Sequence, residues 1–245
     1  MNQPVNQTAS RRWLVTGGSR GIGRAIVDRA LAAGDRVCFL SRSSSAPAEA
    51  AALGDSALGM ICDVTDPLAL KASCERLTEL WGGIDVLVNS AGLHRGGKVD
   101  SLSIDDWDQT LATNLSGPLH AVRAALPFMS EGGAIVNVGA VVGFRGFPGD
   151  SSYGASKAGL SGLTQVLAAE LAKRGIRVNL VVPGFVMTEM THGVSKRARD
   201  AIVAKVPLGR MGEAEEIADV CFWVAGSTYM TGSTIFSDGG LMCGL

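Results

Sequence analysis

Trp13-Leu14-Val15-Thr16-Gly17-Gly18-Ser19-Arg20-Gly21-Ile22-Gly23 is the stretch from which the fold can be read. A short apolar run reads as a buried strand, and a helix-length segment, Gly21 to Ala33, follows the glycines. Glycines between a strand and a helix allow a tight turn and close approach of a pyrophosphate, which sits at the helix amino terminus. The motif alone is weak, but its placement between a first strand and a first helix supplies the context it requires.

Outward from that stretch, strand-length runs alternate with helical patterns to the end of the chain. Strands are predicted at Trp13–Val15, Val37–Leu40, Met60–Cys62, Val86–Val88, Ala134–Val138, Val178–Val182 and Thr234–Phe236. Helices are predicted at Gly21–Ala33, Pro67–Trp81, Asp105–Met129, Ser152–Lys173, Ser195–Ala204 and Glu213–Ala225. Strands without polar alternation are buried on both faces, as in a parallel sheet with helices on each side. The expected fold class is therefore α/β: one doubly wound Rossmann-type domain over 11–245, with a seven-stranded parallel sheet, after a loose polar tail at 1–10. The polar stretch 185–207 is longer than connections in such folds, follows a strand's carboxyl end, and reads as a substrate lid.

The bulk numbers exclude several classes. With 245 residues and 47% hydrophobic content, the chain can bury one large core. A net charge of -1 gives no reason to expect a nucleic-acid or anionic-membrane surface. No apolar run is long enough to span a membrane, and no charged-then-apolar leader opens the chain, so a cytoplasmic protein is expected. Cys38, Cys62, Cys74, Cys221 and Cys243 form no C-x-x-C pair and read as buried free thiols; with His94, His120 and His192 scattered, no metal site is expected.

The end of the second strand indicates which dinucleotide is preferred. An acidic residue there would accept from a free ribose 2′-hydroxyl, but this chain has Ser41 and Arg42, with Arg20 as a second positive charge. NADP(H) is expected over NAD(H). Asp63 and Val64 follow the third strand and are placed at the adenine edge; Asn89, Ala91 and Gly92 follow the fourth and face the cofactor. Tyr153 and Lys157 are four residues apart, on one face of the predicted helix. An ammonium near a phenol favours phenolate, lowering its pKa and suiting it to proton transfer.

Together these residues resemble the short-chain dehydrogenase/reductase family. The likeness rests on Thr16-Gly-x-x-x-Gly-x-Gly23, Asn89-Ser-Ala-Gly92, Asn114, Tyr153-x-x-x-Lys157 and Pro183-Gly184 with Thr188, and runs from Arg11 onward. Val141 to Gly149 and Asp238-Gly-Gly240 make it most similar to 3-oxoacyl-acyl-carrier-protein reductases and polyketide ketoreductases. The resemblance implies that Tyr153 protonates a carbonyl oxygen as hydride arrives. Lys157 would lower the Tyr153 pKa and hold the nicotinamide ribose, and Asn114 would position a relay water. Pro183, Gly184, Val186 and Thr188 would contact the nicotinamide end.

The family's fourth member is a serine thirteen residues before the tyrosine, where this chain has Ala140. The missing hydroxyl would polarise the substrate carbonyl. Either the chain is an engineered Ser→Ala variant, the preferred reading, or the natural protein lacks the hydroxyl; turnover is impaired in both. Ser151 and Ser152 are alternative donors. The expected substrate is a β-ketoacyl thioester or polyketide-type ketone. An acyl carrier protein would present it at bases such as Lys173, Arg174, Lys196, Arg197 and Arg199. The alternatives are an enzyme of free alcohols, sugars or steroids, and a non-catalytic NADP-binding protein. The resemblance also implies a homotetramer, and Phe144, Phe147, His94, Met187 and Met190 are candidates to line the substrate pocket.

Overall fold

A computed structural model describes residues 10–191 and 195–243. The tail expected at 1–10 lies outside these residues except for Ser10, as does His192.

Among the described residues nine strands and eight α-helices follow one another: β1 Arg12–Thr16, α1 Gly21–Ala32, β2 Arg36–Ser41, α2 Ala46–Leu53, β3 Ala57–Ile61 and α3 Pro67–Trp81. Then come β4 Ile84–Asn89, α4 Ile104–Leu111, α5 Gly117–Ala125, β5 Met129–Val138, α6 Ser151–Leu171 and β6 Arg177–Pro183. The chain continues through β7 Val186–Met187, α7 Lys196–Val203, β8 Gly212–Glu213, α8 Ala214–Gly226 and β9 Thr234–Ser237. Seven strands form the expected parallel sheet in the order β3-β2-β1-β4-β5-β6-β9.

The pleat of β1 shows how the two faces are built. Trp13 and Val15 pack with α1 and α8, whereas Leu14 packs with α3, α5 and α6. Successive side chains point to opposite faces, so a strand apolar at every position is buried on both. Order reverses between β1 and β4, and sheets of this kind take their ligands at such a reversal, outside the strands' carboxyl ends. The glycine turn follows β1 there, and Ser90 to Gly92 follow β4.

Three local expectations are corrected. The single helix predicted over Asp105–Met129 is α4, a π-helical turn at Ala112–Ser116, α5 and a 3₁₀ turn at Leu126–Phe128. Pro118 lacks a backbone donor, so the helix has to restart around it. The fifth strand, expected from Ala134, begins at Met129 and takes in Ser130-Glu-Gly-Gly133. There the Ser130 hydroxyl donates to Asp85 Oδ1 and accepts from Arg12 Nη2, both at 2.8 Å. Helix α2 was not anticipated, although Pro47 in its first turn is a start signal. Cys243 is exposed, unlike the other four thiols. No described helix is long and apolar enough to cross a membrane, and the described residues hold no metal-ligand cluster.

Candidate functional site

The glycine turn is shaped by close backbone approach. Gly17 has φ +71°, and a Cβ there would lie 2.7 Å from Ala91 Cα. A Cβ on Gly23 would lie 2.2 Å from Gly17 O, so helix α1 is pressed directly against the turn. No side chain caps the amino end of α1 and no acid stands in its first turn. Its free N–H groups therefore offer a site for a phosphate. Thr16 anchors the turn to β4: its Oγ1 accepts from Ser90 N at 3.1 Å and Ala91 N at 3.2 Å.

At the end of β2, Ser41 Oγ donates to Ser19 Oγ at 2.9 Å and accepts from Ser43 N at 3.1 Å. Arg42 is exposed, 3.9 Å from Asp63 Oδ2. Asp63 also accepts from Thr65, while Val64 is buried. These groups, with the uncapped helix end, fit a phosphorylated ribose beside a pyrophosphate.

Two expectations change here. Arg20, expected as a second positive charge beside Arg42, pairs with Glu189 of the segment after β6 at 3.2 Å, with both side chains exposed. The Asn89 side chain does not face the expected cofactor position. It is buried and donates to Asn137 Oδ1 at 2.9 Å, linking β4 to β5.

On the other side of the reversal, α6 brings Tyr153 and Lys157 to the end of β5. Lys157 is 4% exposed and donates to Val138 O at 2.8 Å, two residues before Ala140. Burial lowers its pKa to about 8. Ala140 itself has extended backbone, φ -164° and ψ 150°, which a serine would also adopt. The loop after it packs on α6, where a Cβ on Gly143 would lie 2.6 Å from Ala158 N.

Asn114 sits in the π-helical turn, a wide turn that recurs at functional sites. Its Oδ1 accepts from Leu93 N at 2.7 Å, and its Nδ2 donates to Leu93 O and Ser156 Oγ at 2.8 and 3.2 Å. A Cβ on Gly92 would lie 3.8 Å from Asn114 Oδ1 and 3.9 Å from Lys157 Nζ. Thus Gly92, Asn114 and Lys157 share one small space.

The electrostatics at Tyr153 run opposite to the sequence expectation. Burial pushes its phenol up to about 12, and the Asp150 carboxylate adds to the rise. The Lys157 ammonium is 5.7 Å from the ring centroid and is committed to Val138 O. Desolvation therefore outweighs the ammonium, and the phenol is neutral at pH 7.

The remaining candidates separate. Pro183 is buried in β6, and Gly184 N donates to Ser237 O at 3.0 Å. Val186 is buried in β7, and Thr188 N donates to Thr191 Oγ1 at 3.0 Å. Phe147 stands edge-on to Phe185 at 5.3 Å, but Phe144 instead meets Phe236 at 5.0 Å. Ser152 is spent on Arg95 O at 2.8 Å and Ser151 faces solvent, so neither replaces the hydroxyl missing at Ala140. Arg174 is spent on Leu126 O and Met129 O at 3.1 and 2.9 Å, a structural role. Sequence reasoning overlooked Asp150, which pairs with His94 at 2.8 Å beside Tyr153; an acid just before the helix was its only signal.

Residues 17–242 match the family model described as Enoyl-(Acyl carrier protein) reductase. The chain is 43% identical to carbonyl reductase family member 4 of Danio rerio, over 95% of this chain and 98% of that one. It is 40% identical to the 3-oxoacyl-acyl-carrier-protein reductase of Escherichia coli, over 93% and 96%. Among solved structures, a blue fluorescent protein from a metagenomic library in complex with NADPH superposes with TM-score 0.89 at 36% identity, covering 95% of this chain and 98% of that one. A doubly mutated short-chain dehydrogenase/reductase of Serratia marcescens gives the same score and identity over 94% and 97%. With its glycine turn, its Tyr153–Lys157 helix and likeness along almost its whole length, the chain belongs to the short-chain dehydrogenase/reductase family of oxidoreductases.

Proposed function

We propose that the chain binds NADP(H) and reduces a ketone, a β-ketoacyl thioester or a polyketide-type ketone, to an alcohol. The observation that carries this reading is Lys157, buried beneath Val138 O and sharing a space with Gly92 and Asn114, one helical turn from a neutral Tyr153. Bound NADPH supplies the hydride to the carbonyl carbon. Tyr153 gives its proton to the carbonyl oxygen, Lys157 holds the nicotinamide ribose, and Asn114 orients the water that resupplies the proton. Backbone donors at the start of α1 hold the pyrophosphate, and Ser41 with Arg42 holds the ribose phosphate. The relative from Escherichia coli and the NADPH-bound neighbour support this assignment.

Segment 185–207 is proposed as the lid. No residue of α7 is buried, while Val186 is fixed by the β7–β8 pairing and Phe185 by Phe147. Hydrogen exchange in α7 should slow when NADPH and substrate are bound. A homotetramer is proposed on the family likeness, to be checked by sedimentation.

Ala140 limits turnover. Ala140→Ser restores the missing donor, and kcat for the N-acetylcysteamine thioester of 3-oxobutyrate should rise about 10²-fold. Tyr153→Phe in that background should abolish reduction. If the serine form binds NADPH yet reduces no ketone in a broad panel, the reading fails. The likeness to a carbonyl reductase favours free ketones as the second reading. Comparing kcat/KM for carrier-bound acyl chains and for free ketones separates the two.

A further inference from the structure

We propose that His94, held by Asp150, donates a hydrogen bond to the substrate carbonyl oxygen and so stands in for the hydroxyl missing at Ala140. This inference rests on the reductase reading above. His94 Nε2 lies 2.8 Å from Asp150 Oδ1, and its ring meets Tyr153 edge-on, centroids 4.9 Å apart at 74°. The side chain is 38% exposed, so the ring is not sealed off by the protein.

The loop carrying His94 is fixed on both sides. Leu93 N is held by Asn114, Arg95 O by Ser152, and Gly97 N by Gly149 O at 2.7 Å. Asp150 occupies the cap position of α6, yet its side chain caps no backbone N–H and is committed to the histidine. An aspartate at that position ordinarily caps the helix, which is worth ~1 kcal/mol. Here the capping bond is forgone for a bond that orients the imidazole.

Asp150 raises the histidine pKa, favouring the imidazolium. An imidazolium donates at both nitrogens. With Nε2 on Asp150, Nδ1 is left for a ligand, and among the described residues it makes no hydrogen bond. In its protonated form the ring beside Tyr153 also stabilises negative charge developing on the carbonyl oxygen, the task of the absent hydroxyl. The other charges nearby are accounted for: Arg95 pairs with Asp106 at 2.9 Å, and Lys157 is turned to Val138 O.

His94→Phe retains an aromatic edge and removes both nitrogens, so it is the variant to test. With NADPH and the N-acetylcysteamine thioester of 3-oxobutyrate, it should lower kcat at least ~10-fold in the Ala140 chain but under ~3-fold in the Ala140→Ser chain, since the restored hydroxyl takes over. Equal losses in both backgrounds, or no loss in the Ala140 chain, overturn the assignment while leaving the reductase reading intact. Inactivity of the Ala140→Ser chain alone would instead refute that reading. A second readout requires no turnover. Nitrogen NMR of the unsubstituted chain with NADP⁺ and the 3-hydroxybutyryl thioester should show the His94 Nδ1 resonance shifting on ligand addition; an unmoved Nδ1 overturns the proposal.

Discussion

Replacing Gly23 with alanine sets helix propensity against close packing, and the two predict opposite signs. In the first turn of α1 alanine is intrinsically the better helix former, by at most ~1 kcal/mol. Its methyl, however, would lie 2.2 Å from Gly17 O, whereas ordinary contact begins near 3.4 Å. The turn or the helix must therefore move by about 1 Å. Gly17 has nowhere to retreat: its N donates to Leu40 O at 2.8 Å and its Cα is packed on Ala91. Overpacking of this kind costs about 1–3 kcal/mol, and a blocked backbone lies at the upper end. The net loss is about 2 kcal/mol, or ~4–8 °C in Tm for a domain of this size. Displacing the turn also misplaces the amide groups at the start of α1, so the Kd for NADPH should rise at least ~10-fold, worth ~1.4 kcal/mol. Scanning calorimetry and fluorescence titration with NADPH read the two effects separately. A higher Tm with unchanged NADPH affinity would show that propensity decides and would refute the packing argument.

Three further outcomes follow from the same structure. Arg42→Ala should weaken NADPH binding ~10–100-fold and leave NADH unchanged, because one charge-assisted contact to the ribose phosphate is lost; parallel titrations check it. Lys157→Met should abolish reduction without lowering Tm at pH 7. The depressed folded pKa of about 8 means the unfolded chain binds more protons from there to ~10.4, so the parent should gain stability on the variant as pH rises through that window. Asp85→Asn should cost about 1–3 kcal/mol at pH 7 by weakening the pair with Arg12 Nη2 at 2.7 Å. Arg12 holds the Asp85 carboxyl below its ordinary value despite the opposing effect of burial. The parent's advantage is therefore present above ~4 and lost as pH falls further, which melting curves at pH 7 and 3 will show.

What the sequence made legible is what backbone chemistry demands at fixed positions. Glycines at 17, 21 and 23, from the turn after β1 into the start of α1, could be read because positive φ at 17 and 21 and close backbone approach at 17 and 23 disfavour other residues. The β-α rhythm could be read because strands buried on both faces carry no polar alternation. What escaped were partners brought together only by tertiary proximity. Arg20 is 169 residues from Glu189, and no local pattern distinguishes that pairing from one with a ligand phosphate. Asn89 carries a family motif, yet its amide is spent on Asn137 in the neighbouring strand. The break at Ala112–Ser116 was the exception, since Pro118 announces it.

The Tyr153–Lys157 pair shows most clearly why such partners matter for chemistry. Spacing places the two side chains on one face but cannot say where the ammonium points. In the fold it points to Val138 O, while Asp150 and burial act on the phenol from the other side and hold it up at about 12. A neutral phenol already carries the proton that ketone reduction consumes, whereas alcohol oxidation would first require it to lose that proton. His94, by balancing the Asp150 charge, opposes part of that rise in the phenol pKa. Removing that balance should leave the phenol still harder to ionise. For His94→Phe, alcohol oxidation should therefore require a higher pH than in the parent, and its pH–rate profile with NADP⁺ and the 3-hydroxybutyryl thioester should shift upward. A profile unmoved by the substitution would mean that Asp150 does not act on Tyr153.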